Sequence, residues 1–184
     1  MHCAAIEKIV LNFKLPAGTS RGILKSKNSW IITLWDEKSP EVKGIGEASI
    51  IENLSPDWSS QYVHKLENVI KNIDEHISNS FESLTEYPSI RFAVESAYIN
   101  LKQKEEQIYY PSEFTDGKQG ITINGLIWMG EKEFMFEQIK SKLDSGFKCI
   151  KLKIGAIDFE SELELLSYIR GQFSKDEVEL RVDA

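Results

Sequence analysis

The first fifty residues alternate between short apolar-rich runs and polar stretches. The runs, residues 6–13, 30–35 and 42–51, have the length of strands rather than helices. Residues 16–28 between the first two carry Gly18, Gly22 and several Lys and Ser, and read as a polar, mobile loop. The second and third runs are joined by the turn-rich stretch 36–41, Asp-Glu-Lys-Ser-Pro-Glu. This pattern predicts a three-stranded antiparallel meander. The periodicity then changes. Ser55-Pro56 has the form of a helix start, a capping hydroxyl before a first-turn proline. Behind it Trp58, Tyr62, Leu66, Ile70, Ile73 and Ile77 recur at helical spacing. A second helix is predicted from Pro88 and Ser89, with Ile90, Ala93, Val94, Ala97, Tyr98 and Leu101 on its apolar face and polar residues 102–107 closing it.

From Gly120 the order becomes strand, helix, strand, helix, strand. Residues 121–128 read as a strand. Residues 131–145 read as a helix with Met135, Ile139 and Leu143 on one side, and Gly146 follows its end. Residues 149–154 form the next strand. Asp158 caps a second helix carrying Phe159, Leu163, Leu166 and Ile169, and residues 178–183 form a third strand. The spacing is that of a βαβ unit, and alternating β and α implies a parallel sheet covered by helices. A polar stretch at 111–118 separates the two patterns. The expected organisation is an α+β domain over residues 1–115, then a helix-covered parallel β/α sheet over 116–184.

Composition narrows the function classes. The 184 residues carry 22 Lys and Arg against 29 Asp and Glu, a net charge of −7, with the basic residues scattered. Nucleic-acid binders show a basic face, so no nucleic-acid partner is expected. No apolar run has the length of a membrane span, and the first eight residues lack the form of a secretory leader. Cys3 and Cys149 are far apart and in no metal-binding spacing, which fits a reducing compartment. A cytoplasmic protein with no membrane partner is the expectation.

The chemistry is concentrated in two strands. In Cys149-Ile150-Lys151-Leu152-Lys153-Ile154, alternate side chains face opposite ways, so Lys151 and Lys153 share a face, with α-carbons roughly 6.6 Å apart. Strands of a covered parallel sheet are usually apolar on both faces, so two lysines on one face need an explanation. One explanation is an edge strand with its polar face in water. The other is a site. Leu180-Arg181-Val182-Asp183 places an aspartate at the C-terminal end of the following strand, the end that carries the active site in (β/α) barrels. A carboxylate there suits Mg²⁺. A lysine acts as a base near neutral pH when desolvation and neighbouring positive charge favour its neutral form.

Lys-x-Lys at a strand end, followed about thirty residues later by Val182-Asp183-Ala184, resembles the enolase superfamily, muconate-lactonizing subgroup. The segment Gly44-Ile45-Gly46-Glu47-Ala48 is similar to the Gly-x-Gly-Glu-Ala segment of its capping domain. The stretch from Pro88 to Ala97 is similar to the helix leading to its barrel. Within the subgroup, residues 147–160 are most similar to the o-succinylbenzoate synthase family of menaquinone-making bacteria.

The resemblance implies a capping domain followed by the start of a (β/α) TIM-type barrel, acting on a small-molecule carboxylate. Lys153 would take the proton α to the carboxylate, with Lys151 beside it contacting that carboxylate. Asp183 would be the first Mg²⁺ ligand, and loss of the β-hydroxyl as water would complete the reaction. Residues 16–28 would be the capping loop, with Arg21 reaching the succinyl tail and Asn124, on the first barrel strand, another substrate contact. The family also uses two further acidic ligands and a further lysine on later strands, all beyond Ala184. Three strands cannot close an eight-stranded barrel, so the chain alone is expected to be inactive and to aggregate or form a homo-oligomer through its open edge.

Two other readings stand beside this one. A dipeptide epimerase or N-acylamino acid racemase of the same superfamily would use the same lysines and aspartate. A non-catalytic truncated or interaction module would use none of them. Elsewhere, His64 and His76 are read as solvent-facing, Cys149 as a small buried filler, the four Trp as core or domain-interface residues, and Glu47 as structural.

Overall fold

The computed structural model describes residues 1–19, 22–103, 108–155 and 157–183. Its chain divides into two compact units, Met1–Asp116 and Gly117–Ala184.

The first unit opens with three antiparallel strands, β1 (His2–Thr19), β2 (Gly22–Asp36) and β3 (Ser39–Ser49), in the order β1-β2-β3. The expected meander is present, but most of the expected loop over 16–28 is strand. The β1–β2 ladder runs from His2↔Asp36 to Asn12↔Ser26, breaks at a bulge, and resumes from Ala17↔Leu24 to Thr19↔Gly22. The polar stretch is extended because each strand supplies the other's backbone partners, a pairing that composition does not reveal. At the other end the β2–β3 turn shrinks to Glu37-Lys38, because Asp36 pairs with Ser39. The Lys38 backbone N–H donates to the Asp36 carboxylate at 2.8 Å and holds that carboxyl below its ordinary range.

Helices α1 (Tyr62–Lys71), α2 (Ile73–Ser78) and α3 (Pro88–Gln103) follow, with a 3₁₀ turn at Glu82–Leu84 between the last two. The helix expected at Ser55-Pro56 begins at Tyr62 instead. The Ser55 hydroxyl accepts the Ile51 N–H at 2.9 Å, so it closes a turn behind it rather than capping a helix ahead. Helix α3 buries Ile90, Ala93, Val94, Ala97 and Leu101, as its periodicity predicts. Its start is capped from a distance: Asp57, 6% exposed, accepts from the Ser89 N–H at 2.9 Å and from the Ser89 hydroxyl at 2.5 Å. The Tyr62 hydroxyl also meets Ser89 at 2.7 Å, and burial pushes that phenol up to about 12.

Gly44 and Gly46 of β3 lie directly against α3. A β-carbon at Gly46 would lie 1.9 Å from the Ala93 carbonyl oxygen, and one at Gly44 2.0 Å from that of Ala97. These two glycines let the helix backbone rest on the strand. Together with Trp30, Ile32, Leu34, Leu66 and Val69, the α3 face forms the core of this unit.

His76, expected at the surface, is 6% exposed, and its Nδ1 lies 2.7 Å from the Ser83 hydroxyl. The helix breaks at Asn72, which turns the His76 stripe inward. Burial, with Lys65 nearby, lowers the His76 pKa. The unfolded chain therefore takes up the proton first as pH falls. The His76 contribution to stability is expected to be intact above its ordinary value of 6.5 and to be lost as pH falls from there through the lower folded-state value. Chemical denaturation of the chain and of His76→Gln across pH 7.5 to 5 checks this. The wild-type curve should fall more steeply than the variant's, and parallel curves would refute it.

The second unit is a parallel sheet, β4 (Gly125–Ile127), β5 (Cys149–Lys153) and β6 (Glu179–Asp183), with helices α4 (Lys132–Asp144) and α5 (Phe159–Gln172) in its connections. Ile127, Met135, Ile139, Ile150, Leu152, Leu165, Ile169 and Val178 form its core. Gly146, with φ 81°, ends α4 in the left-handed conformation its position predicts. The Asp158 carboxylate accepts the Ser161 N–H at 2.9 Å as the expected cap of α5.

Three details differ from expectation. The strand expected over 121–128 pairs only over Gly125–Ile127, because β5 begins at Cys149 and offers residues 121–123 no partner. On α5 the buried stripe is Glu162, Leu165 and Ile169, while Phe159 and Leu163 are 65% and 44% exposed. The Glu162 carboxylate accepts the Gly155 N–H at 2.6 Å and carries that stripe inward. On β6, Leu180 packs against the core, but Val182 is 53% exposed.

Candidate active site

β5 is the middle strand of its sheet, paired in parallel with β4 and β6. The edge-strand explanation for its two lysines therefore fails. Ile150 and Leu152 are buried, at 0% and 1% exposure, while Lys151 and Lys153 are half-buried on the opposite face. The alternation predicted from sequence is what the structure shows.

The register brings the candidate residues together. Lys151 pairs with Arg181, and Lys153 with Asp183, so both lysines and the aspartate lie at the C-terminal ends of neighbouring strands. The Lys151 ammonium is 3.2 Å from the Asp183 carboxylate, a pair with side chains 35% and 46% exposed. At that exposure the pair contributes little to stability, and its interest lies in placement. Arg181, on the same strand, turns to Glu179 instead, donating at 2.8 and 3.2 Å. That exposed pairing raises the Arg181 pKa and lowers that of Glu179.

Lys153 is held differently. Among the described residues no carboxylate pairs with its ammonium, which lies 5.1 Å from the centre of the Trp128 ring. Trp128 follows β4 directly. The ladder pairs Ile127 with Leu152, so the next row carries Trp128 beside Lys153, and Lys153 beside Asp183. Trp128, read from sequence as a core or interface residue, is half-buried under this ammonium. The loop leaving Lys153 is fixed by Glu162 on Gly155, whose φ is 92°. Neither partner shows in the sequence, because each contact depends on register across strands and helices.

Asn124 lies one residue ahead of β4, at the opposite end of the sheet from Lys153 and Asp183. That corrects its expected place on the strand and separates it from the lysine cluster. Arg21 lies outside the described residues. A groove of about 600 Å³ lies in the first unit between β2, β3 and α3, and none of Lys151, Lys153 or Asp183 lines it.

Magnesium demands near-octahedral oxygen coordination, several ligands at once. Asp183 offers one carboxylate, already paired with Lys151. Among the described residues no group of three His, Cys, Asp or Glu could hold a metal. The residues present do not by themselves make a Mg²⁺ site. No helix among the described residues is long and apolar enough to cross a membrane.

No family model matches the chain. Individual relatives do. Over 205 aligned positions the chain is 38% identical to the o-succinylbenzoate synthase of Desulfotalea psychrophila, covering 95% of this chain and 55% of that protein. The crystal structure of MenC from D. psychrophila LSv54 superposes with a TM-score of 0.77 at 32% identity, covering 100% of this chain and 56% of that one. A dipeptide epimerase from Enterococcus faecalis V583, solved with Mg and the dipeptide L-Leu-L-Tyr, shares the fold with a TM-score of 0.72 at 17% identity, over 99% of this chain and 52% of that one. The sheet with lysines and an aspartate on adjacent strand ends, and the β-rich unit ahead of it, are thus the first half of an enolase-superfamily fold. The chain shares that superfamily's fold and resembles the N-terminal portion of o-succinylbenzoate synthase. It spans about half the length of the relatives it matches.

Proposed function

We propose that these residues are the capping domain and first barrel strands of an o-succinylbenzoate synthase, a Mg²⁺-dependent lyase of menaquinone biosynthesis. The observation that carries this is the clustering of Lys151, Lys153 and Asp183 toward the C-terminal ends of adjacent strands, in a chain similar to such a synthase. In this reading the Lys153 amine takes the proton α to the substrate carboxylate. The electron pair of that C–H bond moves into the carboxylate and forms an enediolate. The pair then returns to make the ring C=C bond as the β-hydroxyl leaves. In a syn elimination both groups depart from one face, so the protonated Lys153 is placed to hand its proton to the leaving oxygen and release water. Lys151 contacts the substrate carboxylate. Asp183 would be one carboxylate ligand of a Mg²⁺ ion, which would stabilise the enediolate's negative charge, and Arg21 would contact the succinyl tail. The chain alone, with one such carboxylate, is inactive.

The test assays a protein that carries these residues within a closed barrel, with Mg²⁺, against the o-succinylbenzoate precursor and against dipeptides. Formation of o-succinylbenzoate supports the reading. Epimerisation or racemisation without dehydration would replace it with the epimerase reading. Turnover by the 184-residue chain itself would refute its proposed inactivity.

A further inference from the structure

We infer that Trp128 is the positioning residue of Lys153, and that Gln138 holds Trp128 in place. The inference deepens the proposed reaction, on which its kinetic arm rests. Three observations carry it. First, Lys153 ends the central strand with an ammonium that no carboxylate meets among the described residues, and the Trp128 ring face lies 5.1 Å away. A lysine side chain has many rotamers, and an aromatic face restricts them while leaving the nitrogen's own hydrogen bonds unused. A carboxylate partner would instead occupy them, as Asp183 does for Lys151 at 3.2 Å. The two lysines of one strand face are thus held by two chemistries, ionic for Lys151 and aromatic for Lys153.

Second, the Trp128 peptide is clamped where its ladder has ended. The Trp128 N–H donates to the Gln138 side-chain oxygen at 2.9 Å, and the Gln138 side-chain amide donates back to the Trp128 carbonyl at 3.0 Å. The β4 ladder stops at Ile127, so α4 completes through Gln138 the pairing that the strand lacks. Third, the register puts Trp128, Lys153 and Asp183 in one row across the three strand ends, so a shift of the indole is felt by the lysine beside it.

Trp128 is the only tryptophan of its unit, and this makes the arrangement visible in solution. The test compares the 184-residue chain with Trp128→Phe, Trp128→Leu and Gln138→Leu. The readout is the NMR position of the Lys153 ε-methylene protons, assigned by their loss in Lys153→Met. Ring current should displace that signal from the other lysines in the wild type. Trp128→Phe should keep part of the displacement, and Trp128→Leu should abolish it. Gln138→Leu should reduce it although the indole is still present. A Lys153 signal at the ordinary lysine position in the wild type, or unmoved in Trp128→Leu, overturns the inference. In a closed-barrel protein, Trp128→Leu should lower kcat by on the order of ten- to a hundredfold with KM nearly unchanged, and Trp128→Phe should recover much of it. An unchanged kcat in Trp128→Leu also overturns the positioning role. The proposed reaction is judged separately, by whether Lys153→Ala loses proton exchange, so its failure leaves the spectroscopic result to stand or fall alone.

Discussion

Replacing Lys153 by alanine in a closed-barrel protein is expected to slow exchange of the substrate's α-proton by about 10²- to 10⁴-fold, the usual contribution of a positioned general base. The loss should be chemical rather than structural. Lys153 is half-buried and turned away from the core that Ile150 and Leu152 enter, so its removal leaves no cavity there. Thermal unfolding should therefore match the parent. Lys153→Arg sharpens the point: it keeps a cation over Trp128, but a guanidinium does not give up its proton in proteins, so it should be as inactive as alanine. Lys151→Ala should behave differently, freeing Asp183 from its 3.2 Å partner and weakening substrate binding more than exchange. Deuterium incorporation at the α-carbon, followed by NMR, reads all three. Exchange at the parental rate in Lys153→Ala would mean that the two lysines are solvated charges with no part in proton transfer.

Gly46→Ala is expected to destabilise the first unit by about 3 kcal/mol, the upper end of the usual range for overpacking. The added methyl would sit 1.9 Å from the Ala93 carbonyl oxygen and 2.8 Å from its carbon, and both atoms are helix backbone. No rotamer change relieves such a clash. Helix α3 would have to lift from β3, loosening Ile90, Ala93, Val94 and Ala97 from the core. Gly44→Ala meets the Ala97 carbonyl at 2.0 Å and should cost a similar amount. Gly120→Ala, where nothing lies within 4 Å, should stay within about 0.5 kcal/mol of the parent. Urea unfolding of the chain separates these outcomes. A Gly46→Ala chain with the parental midpoint would mean that the Gly-Ile-Gly segment is not there for close packing.

Much of the fold could be read in advance because it rests on periodicity. The meander, the face of α3 and the βαβ alternation each follow from apolar spacing. The lysine-bearing strand drew notice because charge on a strand of a covered sheet is anomalous, and its faces are as the alternation predicts. What was hidden depends on pairing between distant segments. The described residues of 16–28 are strand because their partners are strand. Ser55 looked like a cap, but its hydroxyl is committed backward to Ile51, and the cap of α3 comes from Asp57, which lies 32 residues from its partner Ser89. The periodicity of α5 admits two neighbouring stripes, and the buried Glu162 carboxylate decides between them. His76 faced inward for a similar reason, a helix break that spacing alone did not show. The Trp128–Lys153 contact needs the β4–β5 register, which no local pattern encodes.

The alternation within β5 has a consequence for how this gene can drift. From Ile150 onward each residue of the strand is committed by its parity, Ile150 and Leu152 to the interior and Lys151 and Lys153 to the open face. A single codon inserted between Cys149 and Ile150 would invert that parity, driving two ammonium groups into the core and putting Ile150 and Leu152 in water. Two inserted codons would restore parity but carry Lys153 roughly 6.6 Å along the strand, past both Trp128 and Asp183. Length variation among descendants should therefore gather in the loops and in the β1–β2 hairpin, where Leu15 and Ile23 are already 69% and 70% exposed, and should be absent from these five residues.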